Sequence, residues 1–140
     1  MNEYTYDVLA ASGASREEFT VMVTADMMAQ FLSLTGDCNP LHIDADYARG
    51  QGFRDRVVYG MLASSLCSTL VGVYLPGRYA LLQQVDSQFH KPVYIGDVLT
   101  VGGTVIEKHD TFKRLTIRAE IRNQHGEKVN KAKIVAGCLK

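Results

Sequence analysis

The sequence predicts one α+β domain in which a curved antiparallel β-sheet wraps around a single long helix. Three observations support this. No charged residue occurs between Val57 and Gly77, alternating strand patterns fill the chain after residue 79, and no linker or internal repeat divides the 140 residues. A chain of this length with 46% hydrophobic residues can bury a core of its own. We therefore expect a single domain over residues 1–140.

The uncharged run is the predicted centre of that domain. A helix from Gly60 to about Tyr74 would be apolar or small on every side, as in a helix that is buried on every side. The run is long enough to raise a transmembrane helix as the alternative. Its four serine and threonine residues and the closing Pro76-Gly77 make it too polar and too short in its helical part. The N-terminal amides of such a helix, Gly60 first, could hold an oxyanion or a polarised carbonyl.

β-Strands are predicted on both sides of this helix. Residues 18–23 alternate, and strands follow at 79–89, 97–107, 114–122 and after a turn at 123–126. The short connections indicate an antiparallel meander. Gly102-Gly103 inside a strand indicates a bulge or a strong bend. The side chains expected to face the core are Phe19, Val21, Val23, Leu115, Ile117, Ala119, Ile121, Ala132, Ile134 and Ala136.

Shorter elements are expected before the central helix. Residues 1–16 have neither a basic nor an apolar segment of the kind found in signal peptides, so we expect a loose lead-in. Thr24 is a suitable N-cap for a helix over residues 25–35. Asp44 can cap a single helical turn that Gly50 ends.

Composition excludes several classes of partner. Fifteen basic and fifteen acidic residues leave no net charge, and hence no electrostatic footprint for nucleic acid or an anionic membrane surface. Cys38, Cys67 and Cys138 lack C-x-x-C spacing, so we expect free thiols in a reducing, cytoplasmic environment. The histidines outside the polar segment described next are scattered, and we expect neither a metal nor a cofactor.

A polar segment, Thr35 to His42, is the candidate site. Gly36 is expected in the left-handed conformation just past a helix end, and Pro40 pushes Asn39 into an extended conformation. Asp37 and His42 would then lie on a stiff, non-helical connector where their side chains can converge. The alternative is an ordinary helix stop and an Asn-Pro turn, in which Asp37 forms the turn and His42 is incidental.

Taken together, these segments resemble the MaoC-like (R)-specific enoyl-CoA hydratases and dehydratases, which have the hotdog fold. The resemblance covers roughly residues 31–97. It is carried by Gly36-Asp37-x-Asn39-Pro40-Leu41-His42, by Val58-Tyr59-Gly60-Met61-Leu62-Ala63-Ser64, and by Phe89-x-Lys91-Pro92-Val93-Tyr94-x-Gly96-Asp97. The combination is far more specific than a short glycine motif.

The resemblance implies a role for each matched residue. Asp37 and His42 would be the catalytic pair, and the Gly60 amide would bind the thioester carbonyl, with Tyr59 and Met61 beside it. Asn39 would support the pair, and Ser68 would orient the Asp37 carboxylate. Many family members have His where this chain has Tyr59, and Pro where it has Arg56. Tyr59 can donate a hydrogen bond or serve packing alone.

The resemblance also implies the substrate, an acyl-CoA or acyl carrier protein thioester, and a homodimer or higher homo-oligomer. An open sheet edge and a helix that is apolar all round point to self-association as well. A hotdog thioesterase and a non-catalytic acyl-thioester binding module remain as alternatives. Neither explains the Asp-x-Asn-Pro-x-His unit. Arg54, Arg56 and Lys91 are candidates for contacts with the carrier phosphates.

Overall fold

A computed structural model describes residues 1–11, 13 and 15–140 of the chain. The helices are α1 (Tyr6–Ala11), α2 (Ala25–Thr35), α3 (Pro40–Ile43), α4 (Ala45–Gly50) and α5 (Gly60–Thr69), and α5 continues as a π-helical turn over Leu70–Tyr74. The strands are β1 (Arg16–Met22), β2 (Ala80–Phe89), β3 (Val98–His109), β4 (Arg114–Arg122) and β5 (Lys128–Cys138), and a short 3-10 turn (Asp110–Phe112) joins β3 to β4.

All five strands form one antiparallel sheet in the order β1-β3-β4-β5-β2. The inward faces of β4 and β5 are the predicted ones, since Leu115, Ile117 and Ile134 are wholly buried. Together with α5 and its π-helical turn they form one hydrophobic core. The predicted extent of the central helix, residues 60–74, is confirmed.

Gly103 lets the central helix approach the sheet closely. A Cβ at this position would lie 2.7 Å from Leu70 Cδ2 and 3.1 Å from Ile117 Cγ2. The expected bulge is not at Gly102-Gly103, where the ladder is regular, and Gly103 provides room for Leu70 rather than for an extra residue. The break in the β3–β4 register comes at Ile106 instead.

The predicted meander is correct only for β3, β4 and β5. β2 pairs with β5 at one edge of the sheet, and β1 pairs with β3 at the other. The connection from β2 to β3 runs along the segment that leads into α5. There the Val58 N–H donates to Val93 O at 2.8 Å, and Val57 forms a β-bridge with Tyr94. This connection is too long to be a tight hairpin turn, so it can carry the chain from edge strand β2 past β5 and β4 to β3, which lies next to the opposite edge.

The N-terminal segment is not a loose lead-in over residues 1–11. It contains α1, whose Tyr6 and Leu9 side chains are almost fully buried. The Tyr6 hydroxyl donates to Asp110 Oδ1 at 2.6 Å, and Asn2 N–H donates to Val73 O at 2.8 Å. Residues 12 and 14 lie outside the described part of the chain.

Candidate active site

The connector between α2 and α4 begins at a helix end of the predicted kind. Gly36 has a φ of 72°, and its N–H donates to Leu32 O at 2.8 Å. The Thr35 hydroxyl donates to Phe31 O at 2.8 Å and accepts from the Asp37 N–H at 3.3 Å. Because both ends of this turn are hydrogen-bonded, Asp37 leaves the helix in a fixed direction.

The connector is not wholly non-helical, because α3 is a one-turn helix that carries His42. Asn39 is its N-cap, and the Asn39 side chain accepts from Leu41 N–H at 2.9 Å. Pro40 occupies the first helical turn, where its missing N–H costs nothing and its fixed φ is already helical. The Asn39-Pro40 pair therefore keeps Asn39 out of a helix and at the same time starts a new helix at Pro40.

The Asp37 carboxylate is held from one side only. Its Oδ1 accepts the Asn39 N–H at 3.1 Å. Among the described residues no donor binds Oδ2, so this oxygen can accept a hydrogen bond from a water or a substrate. Asn39 therefore supports Asp37 through its backbone, while its side chain caps α3.

The His42 ring has a defined tautomer. Its Nδ1 lies 2.7 Å from Val57 O, and a carbonyl oxygen can only accept, so Nδ1 carries the hydrogen. In the neutral ring, Nε2 then holds a free lone pair. The Val57 N–H donates back to Leu41 O at 3.0 Å, which ties α3 to the segment that leads into α5.

Tyr59 holds both parts of the candidate pair. Its hydroxyl donates to Asp37 O at 2.7 Å, and its ring lies against His42 with the centroids 4.2 Å apart. On its other side Phe31 packs at 4.7 Å. Burial first, and then the charge of Asp37, raise the pKa of the Tyr59 hydroxyl above its usual range, so it remains a donor at neutral pH. Tyr59 thus both packs and donates.

Helix α5 begins at Gly60, as predicted. Tyr59 is its N-cap but makes no side-chain capping bond. The Leu62 and Ala63 N–H groups donate to Tyr59 O, whereas those of Gly60 and Met61 have no acceptor within the helix and lie at the positive end of its dipole. A Cβ on Gly60 would lie 3.0 Å from the Phe89 ring, so only glycine leaves free space at this helix end.

Asp37, His42 and Gly60 share one cavity of about 580 Å³, here named the connector cavity. Its wall is mostly apolar, which favours an acyl chain over a polar ligand. The lining residues are Phe31, Thr35, Asp37, His42, Tyr59, Gly60, Met61, Ser65 and Phe89. The structure therefore brings together the predicted Asp37, His42, Tyr59, Gly60 and Met61.

Two further cavities adjoin this one. The inner cavity, of about 280 Å³, shares His42, Gly60 and Phe89 with it and extends to Phe53, His90, Lys91 and the buried Asn130. The edge cavity, of about 410 Å³, shares Met61, Ser65 and Phe89. It is completed by Ser64, Ser68, Leu82, Val85 and Ser87.

Ser68 is not brought to Asp37 within the single chain. It lines the edge cavity, and among the described residues no hydrogen bond joins its hydroxyl to Asp37. The serine in the connector cavity is Ser65, one turn closer to Gly60, and its hydroxyl donates to Leu62 O at 2.6 Å. Ser65 and Ser68 lie on the same face of α5 and both line the edge cavity, but Ser68 is one turn further from Gly60 and does not line the connector cavity.

Sequence analysis missed the part that Phe89 plays in the site. This residue was noted only as the start of the motif that follows β2, yet its ring lies against Gly60. The motif itself was the available signal. The Val57 carbonyl was also missed, because backbone acceptors leave no trace in the residue type.

A charged groove lies beside the inner cavity and shares Lys91 and Pro92 with it. Arg54, one of the candidates for a carrier phosphate, stacks on Tyr94 there with its guanidinium 4.2 Å from the ring centroid. Lys91 forms an ion pair with Glu127. The groove therefore contains both basic and acidic side chains.

Other features of the described residues bear on the class of site. Within residues 1–11, 13 and 15–140, no cluster of three or more His, Cys, Asp or Glu side chains is placed to hold a metal ion. No helix in this part of the chain is long and apolar enough to cross a bilayer. Cys38 is exposed, Cys67 and Cys138 are buried, and all three are free thiols. Burial raises the pKa of Cys67 to about 11, which makes it a poor nucleophile.

Comparisons with known proteins agree with this geometry. Residues 9–129 match the MaoC like domain family. An (R)-specific enoyl-CoA hydratase of Aeromonas caviae is 34% identical over 99 residues, which cover 71% of this chain and 74% of that protein. A mitochondrial 3-hydroxyacyl-[acyl-carrier-protein] dehydratase of Arabidopsis thaliana is 39% identical over 80 residues, 57% of this chain and 46% of that protein.

A solved structure gives the same result for the fold. The unliganded R-hydratase of Pseudomonas aeruginosa superposes with a TM-score of 0.89 at 28% identity, covering 97% of this chain and 86% of that one. The fold is thus the hotdog fold that the sequence motifs implied. Since the family match spans most of the chain, the protein belongs to the MaoC-like domain family.

Proposed function

We propose that this protein catalyses the (R)-specific hydration of trans-2-enoyl-CoA to (R)-3-hydroxyacyl-CoA, and the reverse dehydration, through Asp37 and His42. The protein is an enzyme of the hydratase and dehydratase type, as its relatives are. The observation that supports the proposal is one cavity lined by Asp37, His42 and the first residue of α5. A carboxylate, an imidazole and free helix amides are the groups that this reaction needs.

The two side chains suit the activation of one water. Asp37 Oδ2 and His42 Nε2 have no hydrogen-bond partner among the described residues, and both side chains line the connector cavity, so we expect a water there to donate one hydrogen to each. Its lone pair is then free to attack C3 of the enoyl group. The side chain that takes the water proton delivers it to C2, so water is added across the double bond and the thioester remains whole.

The α5 terminus suits the other half of the reaction. Attack at C3 pushes negative charge onto the thioester oxygen, and N–H groups already aimed at that oxygen stabilise it without reorganising. The Gly60 amide lies at the positive end of α5. A carbonyl bound there would present only one face of its double bond to Asp37 and His42, so a single enantiomer is expected. The (R) sense is supported by the relatives that are named (R)-specific hydratases.

A second candidate function is the same hydration with a substrate that is carried by acyl carrier protein instead of CoA. The plant relative is named for that carrier, and the bacterial one for CoA. The charged groove at Arg54 and Lys91 supports a carrier with phosphates, which both thioesters have. Equal acyl chains on the two carriers, compared by kcat/KM, separate these candidates.

One assay tests the reaction itself. Purified protein is mixed with crotonyl-CoA while two signals are followed: loss of the conjugated enoyl-thioester absorbance, and release of free thiol detected with a chromogenic disulfide. Hydration predicts the first signal without the second, and an (R)-specific 3-hydroxyacyl dehydrogenase then consumes the product. Thiol release equal to substrate loss would mean a thioesterase. Binding of CoA and carrier-protein thioesters without either signal would mean a binding module.

We also propose that the protein acts as a homodimer. Edge strand β2 exposes an apolar row that the single chain leaves uncovered, consisting of Leu81, Leu82, Val85 and Phe89. An open apolar edge is a template for pairing with a second chain. Part of this row lines the edge cavity, so a partner there would close the site region from solvent.

A further inference from the structure

Phe89 lies where the connector, inner and edge cavities meet. Of the described residues that line them, it is the one common to the connector, inner and edge cavities. It is the last residue of edge strand β2, and its side chain is 55% exposed. Its ring touches the space at Gly60, 3.0 Å from where a Cβ would be.

The proposed chemistry decides which part of the substrate enters which cavity. The acyl chain and the carrier arm leave the carbonyl carbon in opposite directions. C3 must reach Asp37 and His42, so the acyl chain starts in the connector cavity. The space that continues from there past Phe89 is the edge cavity, whose wall includes the apolar Leu82 and Val85.

The inner cavity is suited to the carrier arm of the substrate, which leaves the carbonyl carbon on the side opposite to the acyl chain. It joins the charged groove through Lys91, and the Asn130 amide, only 1% exposed, lies in its wall. Asn130 bonds to the Ser87 hydroxyl at 3.1 Å and keeps further hydrogen-bonding capacity. A buried amide is a poor neighbour for a hydrocarbon chain and a good one for the amide-bearing arm of a carrier.

We propose that Phe89 sets the length of acyl chain that this enzyme accepts, by standing between the connector and edge cavities beside the bound thioester. The proposal rests on the function proposed above. Short chains end within the connector cavity. Longer ones must pass the Phe89 ring to reach the edge cavity, so removing the ring joins the two spaces. Each methylene then buried in the joined space strengthens binding about fourfold.

The test compares chain lengths rather than absolute rates. The values of kcat/KM are measured with 2-butenoyl-CoA and 2-octenoyl-CoA for the wild type, Phe89→Ala and Phe53→Ala. Phe53 is the matched control, because it lines the inner cavity but neither of the others. Phe89→Ala should raise the octenoyl-to-butenoyl ratio by about tenfold or more. Phe53→Ala should leave it unchanged.

A ratio that stays constant in Phe89→Ala, or that shifts equally in Phe53→Ala, would overturn the proposal. If Phe89→Ala does not fold, Phe89→Leu removes the ring with a smaller loss of packing and takes its place. The saturated thioesters butyryl-CoA and octanoyl-CoA, titrated calorimetrically, give the same ratio from binding alone. A wild type that binds these but hydrates nothing refutes the proposed reaction, while the ratio still decides the role of Phe89.

Discussion

The Asp37 carboxylate and the His42 imidazole are each held by a main-chain group, and Tyr59 holds the Asp37 backbone. The carboxylate accepts from the Asn39 N–H, the imidazole donates to the Val57 carbonyl, and the Asp37 carbonyl accepts from Tyr59. The first two bonds leave Asp37 Oδ2 and His42 Nε2 without a partner among the described residues, and both side chains line the connector cavity. The site is therefore organised before substrate arrives, which is what efficient proton transfer to and from a bound water requires.

Tyr59→Phe tests this organisation at a single hydroxyl. The variant keeps the ring against His42 but leaves the Asp37 carbonyl without its donor at 2.7 Å. The loss of one such bond costs about 0.5–1.5 kcal/mol, so we expect kcat with crotonyl-CoA to fall by about two- to tenfold. Tyr47→Phe, at an exposed tyrosine on α4, should have wild-type kcat. Equal rates in all three proteins would show that Tyr59 serves packing only.

For individual residues, the sequence identified the candidates but not their contacts. The spacing of Asp37, Asn39 and His42 was sufficient to nominate them, because Gly36 and Pro40 restrict the backbone around them. The Nδ1 tautomer of His42 could not be predicted, since its partner is a backbone carbonyl fifteen residues away. The placement of Ser68 depends on how far along α5 the connector cavity extends, which motif matching does not supply.

Among the elements, α5 and β3 decide how the core is packed. Leu70, at the start of the π-helical turn, reaches the sheet at Gly103, and this contact fixes the depth at which the helix lies. The start of the same helix faces the connector cavity. The packing of Leu70 thus also positions Gly60 relative to Asp37 and His42.

Gly103→Ala should destabilise the fold, because the new methyl group would push against Leu70. Its Cβ would lie 2.7 Å from Leu70 and 3.1 Å from Ile117, both buried, so we expect a loss of about 1–3 kcal/mol in urea unfolding. Gly102→Ala is the matched control on the same strand. Its Cβ would meet only the mobile end of Arg16, which can move away into solvent. Equal stability of the two variants would contradict the close approach of α5 to β3.

Elements with a strong local signal were predicted within a residue or two. Helix α2 has the expected bounds because Thr24 caps it and Gly36 ends it. The order of the strands was not predicted, because alternation shows which side chains share a face of a strand but not which neighbouring strand it pairs with. Helix α1 was missed because six residues give little periodicity, and its burial comes from distant partners such as Asp110.

For the whole molecule, the apolar edge at β2 predicts self-association. Light scattering should give at least twice the 15.5 kDa of one chain at micromolar concentration. Leu82→Lys combined with Val85→Lys places two charges on this edge and should shift the mass toward the monomer. Val8→Lys, at an exposed apolar residue on α1, is the control and should not. A wild type that remains monomeric would refute the proposed dimer.

The central claim is that Asp37 and His42 act together on one water, and turnover of crotonyl-CoA by their variants tests it most directly. Asp37→Asn keeps the shape of the side chain, and His42→Gln keeps an N–H donor for the Val57 carbonyl, while each removes the group that accepts a proton. Each should lower kcat by about a hundredfold or more with an unchanged melting temperature. The double variant should be little worse than either single one, because the two residues serve one step. A folded double variant with near-wild-type turnover would contradict the account.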